Sequence, residues 1–214
     1  MTPAHPPGSL PDTLQTAAKG AFAFPLACPS FVFRAGYTEN VRRLAPFVDE
    51  IQLLFFESRL ADSLPSPALV DELVCLGRER AVTFNVHLPS DIFPGHREAY
   101  ERQRAVDVLI DLIARCKPLC PSTFTLHLER SPLDPNDRRW QDNTMTTLET
   151  VLASGIDRRL ISIENLNYDF ALAAPVVEAL DLSVCFDMGH LMARGEAIGP
   201  FFERWRDRIP VIPL

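Results

Sequence analysis

Short apolar runs alternate with helix-patterned segments along nearly the whole chain, and this alternation narrows the fold more than any other feature. The runs are residues 21–28, 50–56, 82–86, 123–126, 160–163 and 182–186. Each is short, apolar and bounded by turn residues, as a strand buried on both faces is. The segments between them carry helical spacing. Thr38 is placed to cap the first, whose apolar side is Val41, Leu44, Ala45 and Val48. Ser66-Pro67 opens the second, a cap followed by proline at the first helical position, with Leu69, Leu73 and Leu76 behind it. Residues 97–115 form the longest, burying Val106, Leu109, Ile110 and Ile113 and stopped by Pro118 and Pro121. Further helices are expected over 137–153, with Gly155 as the stop, near 170–180, and around Ile198, Phe201, Phe202 and Trp205. Residues 211–214 read as the start of a seventh strand.

This order predicts an α/β fold with parallel strands and crossover helices. No glycine-rich phosphate fingerprint follows the first run, which counts against a dinucleotide-binding sheet. Six or seven strand–helix units point to a (β/α) barrel of the TIM type, whose usual closure takes eight. Residues 1–20, rich in Pro, Ala and Thr, are expected to be a disordered tail, and 21–214 the barrel domain.

Composition excludes several functions. A formal net charge of −7 with no basic block counts against a protein that grips a nucleic-acid backbone. No apolar run reaches the ~20 residues of a membrane span, and residues 1–20 lack the apolar core of a secretory signal. Five cysteines, Cys28, Cys75, Cys116, Cys120 and Cys185, show no paired framework, so a reducing, cytoplasmic setting is expected. The Cys116/Cys120 spacing lacks the second pair a structural zinc needs.

Chemistry-bearing residues cluster just past the runs. His87 follows the third and His127 the fourth, with Glu129 nearby; Glu164 follows the fifth; Asp187 and His190 follow the sixth. Three of the five histidines thus occupy one class of position, leaving His5 and His96 unassigned. In a barrel, such strand ends meet on one face, and imidazoles with carboxylates there suit one or more borderline divalent cations, zinc or manganese before others. Each residue also has a bland role. Asp187 could simply cap a helix, His87 could be a bonded core histidine, and Glu164 could pair with Arg130 or Arg194. Glu129 could be a surface acid, and Glu57 reads as structural.

Asp187-x-x-His190, Ile163-Glu164-Asn165 and the strand-end histidines resemble the xylose isomerase-like barrel superfamily, which includes sugar-phosphate isomerases/epimerases and the apurinic endonuclease family. A longer ordered set narrows the resemblance: Asn40-Val41-Arg42-Arg43-Leu44-Ala45-Pro46, residues 49–58, Leu64-Pro65-Ser66-Pro67, Val86-His87-Leu88-Pro89, Ile163-Glu164-Asn165-Leu166 and residues 184–191. Running from about Phe24 to the C-terminus, it is similar to the cobamide-remodelling phosphodiesterases. The resemblance implies hydrolysis of the phosphodiester in a corrinoid's nucleotide loop, giving cobinamide phosphate and an α-riboside for salvage. It implies His87, His127, Glu164, Asp187 and His190 as metal ligands, with Glu164, His127 and Asp187 carrying catalysis. The acidic net charge favours this small corrinoid substrate over DNA. Relatives continue past Ile212 with a further strand bearing a histidine, an Asp/His pair and an eighth strand. Here Pro213 stands where a histidine is expected, so an open, C-terminally truncated barrel is expected. The alternatives are a sugar-phosphate isomerase or epimerase with Glu164 as base, and a non-catalytic corrinoid- or metal-binding remnant.

Overall fold

A computed structural model of the chain describes residues 18–60, 63–130 and 136–212. Six strands form one parallel sheet in chain order: β1 (Ala27–Pro29), β2 (Glu50–Leu54), β3 (Thr83–His87), β4 (Phe124–Leu126), β5 (Ile161–Glu164) and β6 (Ser183–Cys185). Helices α1 (Tyr37–Leu44), α2 (Pro67–Arg80), α3 (Ala99–Cys116), α4 (Asp137–Leu152) and α5 (Ala174–Leu180) make the crossovers, and α6 (Met188–Arg194) and α7 (Ile198–Trp205) follow β6. Each strand pairs with its neighbours in sequence, as successive (β/α) units of an incomplete barrel do. The expected seventh strand is present as a single parallel bridge between Val211 and Cys185, with the Phe186 amide donating to the Val211 carbonyl at 3.1 Å. Pro213 lies outside the described residues, as does the expected tail apart from 18–20. Those three residues are held: Lys19 Nζ donates to the carbonyls of Ala45 and Arg80, and the Gly20 amide to Asp49 Oδ1.

The strands are not uniformly apolar, and their register shows why. Residues paired across parallel strands share a face. One set runs Ile51–Phe84, then Leu53–Val86–Phe124–Ile161, then Leu126–Ile163–Val184. These pack with Val41, Leu44, Leu73, Leu109, Leu148 and Val176 of the helices in a single core. The other set runs Gln52–Asn85, then Leu54–His87–Thr125–Ser162–Ser183, then Glu164–Cys185. Apolar residues therefore face the helices, while a mostly polar set faces the barrel interior. Buried polar groups need partners, and most find them on neighbouring strands. Asn85 Nδ2 donates to Glu50 Oε1 at 2.6 Å, Thr123 and Ser162 share a hydrogen bond, and Ser183 donates to the Arg159 carbonyl.

Several local expectations are corrected. The first strand is Ala27–Pro29 rather than 21–28, because Pro25 has no N–H and the Leu26 amide donates to the Asp49 carboxylate instead of a ladder. Gly36, not Thr38, caps α1; the Thr38 hydroxyl points away and donates to Glu72. Helix α3 starts at Ala99, and the fifth helical segment splits into a 3-10 turn (Phe170–Leu172) and α5. Ser66 does cap α2, accepting from the Leu69 amide. All five cysteines are free, Cys116 and Cys185 being buried and Cys75 and Cys120 exposed. Among the described residues no helix is long and apolar enough to cross a membrane.

The loop between β1 and α1 is stapled by Asn40, which is fully buried. Its side chain accepts from the Phe33 amide and donates to the carbonyls of Phe33, Ala35 and Gly36. Replacing Asn40 by Ala strands these buried groups and should cost on the order of 3 kcal/mol. Thr38→Ala, which removes only an exposed contact, should cost below about 0.5 kcal/mol. Urea unfolding of the two variants beside the parent chain measures both.

Candidate metal centre

The interior face continues past the strand ends, and this places the polar residues. His87 ends β3; His127 lies two residues beyond Thr125, Glu164 two beyond Ser162, and Asp187 two beyond Cys185. With a strand's period of two, each is the next inward member of its strand. His87 Nε2 stands 3.1 Å from His127 Nε2 and 3.4 Å from Glu164 Oε2, and His127 Nε2 is 3.1 Å from the same oxygen. The other oxygen, Glu164 Oε1, is 3.7 Å from His190 Nε2, which is 4.0 Å from Asp187 Oδ2. All five residues expected at the site are thus brought together. They form two trios, His87/His127/Glu164 and Glu164/Asp187/His190, whose ligand atoms each lie within 4.8 Å of one another. Glu164 belongs to both and turns one carboxylate oxygen to each.

Burial grades across the centre. His87 and Glu164 are 4% and 5% exposed, whereas the side chains of Asp187 and His190 are 23% and 29% exposed. The site is therefore closed beneath the first trio and open to solvent at the second.

Neighbouring groups aim the ligands. His87 Nδ1 lies 2.8 Å from the Leu88 carbonyl and donates to it, so in the neutral ring Nε2 carries the lone pair. His190 Nδ1 likewise bonds Asn167 Oδ1 at 3.0 Å, turning its Nε2 toward Glu164 and Asp187. Asn165 clasps the ends of β5 and β6: its Nδ2 donates to the Asp187 carbonyl, and the Asp187 amide donates to its Oδ1. Asp187 also caps α6, Oδ1 accepting from the His190 amide at 3.0 Å while Oδ2 stays toward the centre. Capping and ligation thus use different oxygens of one side chain. Gly189 lies inside the first turn of α6 rather than in a separate turn. A Cβ there would approach Asp187 Oδ1 to 3.1 Å, so a larger residue would press on the capping oxygen.

Other candidates fall elsewhere. Glu129 Oε1 is 3.4 Å from His127 Nδ1, outside the two trios. Arg194 bonds Glu196 and the Asn167 carbonyl, and Arg130 pairs with Asp137, so neither is the partner of Glu164. Glu57 is exposed. His96 accepts from the Glu98 amide in the loop before α3. Asn167 and the Leu88 carbonyl were not anticipated; a histidine whose second nitrogen must be held is the only signal for such partners.

The donor set fits a divalent cation. The Nε2 atoms of His87 and His127 and a carboxylate oxygen converge at hydrogen-bond distance, three potential ligand atoms in one small space. Three imidazoles and two carboxylates suit zinc or manganese.

No family model matches the chain, and no protein of curated function matches it in sequence. Solved structures do match. A D-tagatose 3-epimerase-like protein superposes with a TM-score of 0.72 at 21% identity, covering 88% of this chain and 74% of that one. Endonuclease IV from Thermus thermophilus gives 0.61 at 16% identity, covering 87% and 74%. An L-ribulose 3-epimerase gives 0.64 at 16%, covering 87% and 68%. The likeness is one of fold, an incomplete (β/α) barrel of the TIM type. At such identities the likeness establishes the fold, and the chemistry has to be read from this chain's own side chains.

Without a cation, the centre holds itself together by charge. Burial disfavours a charged His127, but Glu129 and Glu164 outweigh it and raise the imidazole from 6.5 to about 9. Burial also disfavours a charged Glu164, but His127 and His87 outweigh it and hold the carboxyl down from 4.5 to about 2. The stability from Glu164 is complete above pH 4.5 and is lost as pH falls toward about 2. That from His127 is complete below pH 6.5 and is lost as pH rises through about 9. In chelator-treated protein the melting temperature should therefore peak between these limits, and His127→Gln should remove the alkaline decline relative to the parent. Melting curves across pH 3–10 would check this.

Proposed function

We propose that this chain hydrolyses a phosphodiester with divalent cations held by His87, His127, Glu164, Asp187 and His190. The single observation that carries the reading is Glu164, one carboxylate shared by two adjacent trios of ligands. Paired cations bridged by a carboxylate suit in-line displacement at phosphorus. When bound, such cations neutralise phosphate oxygens and make water acidic enough to attack near neutral pH. The chain's own residues supply the rest. His87 and His127 form the closed side of the centre, Asp187 and His190 the side open to substrate, and Asn165 and Asn167 keep the two sides in register.

The ordered motifs shared with the cobamide-remodelling phosphodiesterases make the nucleotide loop of a corrinoid the proposed substrate. Cobinamide phosphate and an α-riboside are the proposed products. The partner is then a small molecule and the setting cytoplasmic salvage.

A second reading, isomerisation or epimerisation of a keto-sugar, is favoured by the epimerases among the structures that share the fold. It asks Glu164 to take a proton from carbon. Both its oxygens already face ligand nitrogens, which leaves neither free to reach a carbon.

The zinc- or manganese-loaded full chain should release cobinamide phosphate from cobalamin and leave keto-sugars unchanged. Glu164→Gln and His127→Ala should each lower the rate by about a thousandfold and reduce bound metal, while Asn167→Ala should weaken metal binding about 10- to 100-fold. Product analysis with metal content by mass spectrometry checks all three. Keto-sugar turnover without corrinoid cleavage would overturn the reading.

A further inference from the structure

Two half-exposed phenyl rings stand on the rim beside the centre. Phe31 follows β1 and Phe56 follows β2, so both lie at the strand ends that carry the ligands. They are 59% and 43% exposed. Phe56 packs against His87 with ring centroids 5.3 Å apart, and Phe31 against Phe56 at 6.2 Å. Phe31 and Phe56 meet at 54°, so neither covers the other's face. The contrast is Phe22 and Phe24, also exposed but stacked on each other at 5.3 Å and 12°. Those two precede β1, at the opposite end of the strand.

The backbone beneath the rim rings is firmly tied. The Ser30 amide donates to the Gln52 carbonyl, the Leu54 amide to Ser30 Oγ, and the Tyr37 hydroxyl to the Leu54 carbonyl at 2.6 Å. The Phe56 carbonyl accepts from both the amide and the hydroxyl of Ser90. Rings that are exposed while their backbone is fixed form a surface ready for a ligand, with little ordering left to do on binding. A flat aromatic ring gains most from such faces.

We infer that Phe31 and Phe56 form a stacking platform for the flat base of the substrate, the base joined through a ribose to the phosphate cleaved at the neighbouring centre. The inference rests on the phosphodiester reading and deepens it by naming the nucleotide end of the substrate as the part recognised. Contact between Phe56 and His87 makes platform and centre continuous, so a base on the ring leaves its ribose and phosphate beside the cations.

The test uses the full chain, chelator-treated and zinc-loaded, with adenosine as probe and ribose as the base-free control, read by saturation-transfer NMR titration. Adenosine should bind the chelator-treated chain and ribose should not. Phe31→Ala and Phe56→Ala should each weaken adenosine about tenfold. Phe56→Trp should retain it, and Phe22→Ala should leave it unchanged. Zinc affinity, measured by competition with a chromogenic chelator, should be the same in all four variants. Because Phe31 is exposed on a loop, its variant reads the platform even where Phe56→Ala unfolds the chain. Adenosine binding no better than ribose, or unmoved by both alanine variants, overturns the platform. Adenosine binding intact in a chain that binds no zinc overturns the hydrolase reading and leaves the platform standing.

Discussion

The inward and outward alternation of side chains along six parallel strands is the constraint on which everything else depends. One parity meets the helices and is apolar from Ile51 to Val184. The other meets the barrel interior and runs through Asn85, Thr125, Ser162 and Ser183. A one-residue slip in any strand would exchange the two faces and put a carboxylate or imidazole among leucines. Hydrophobic burial on the outer side therefore fixes the direction in which the functional groups point. No separate device is needed to gather them, since His127, Glu164 and Asp187 extend a pattern the core already enforces.

The polar interior is an unusual floor for a site. Glu50, Asn85, Thr123 and Ser162 are buried and bonded to one another across strands rather than to solvent. Among the described residues, Asn85 Oδ1 and Thr125 Oγ1 have no bonding partner. Such a layer keeps the region below the ligands polar, so the first trio sits in a medium that supports charge while excluding bulk water. His127 and Glu164 remain ionised in spite of their burial because each holds the other, with Glu129 and His87 adding to the pull.

Much of this was legible in the residues, and the reasons for the remainder are physical. Strand order, crossover helices and the convergence of the five strand-end residues follow from local runs and from what stands at their ends. Ser66-Pro67 announced α2 because cap and proline act on their immediate neighbours. The short β1 was hidden because the bond that displaces its ladder comes from Asp49, more than twenty residues away in sequence. Thr38 looked like a cap, yet Asn40 ties the preceding loop so that the helix starts from Gly36. The polar interior was missed because a strand with apolar residues at every second place reads, in a short run, much like one that is apolar throughout. Asn167 was missed because a hydrogen bond to the far nitrogen of a histidine leaves no spacing to detect.

The shared Glu164 has a consequence for how the centre fills. Its two oxygens are tied to a single torsion, so a cation held in either trio would fix the carboxylate for the other. The entropy of ordering that side chain would be spent once, and a second ion would meet a preformed partner. Opposing this is repulsion between two like charges across one small group. The sign of the balance decides whether half-filled molecules accumulate in a mixed population or are skipped as the chain passes from empty to full.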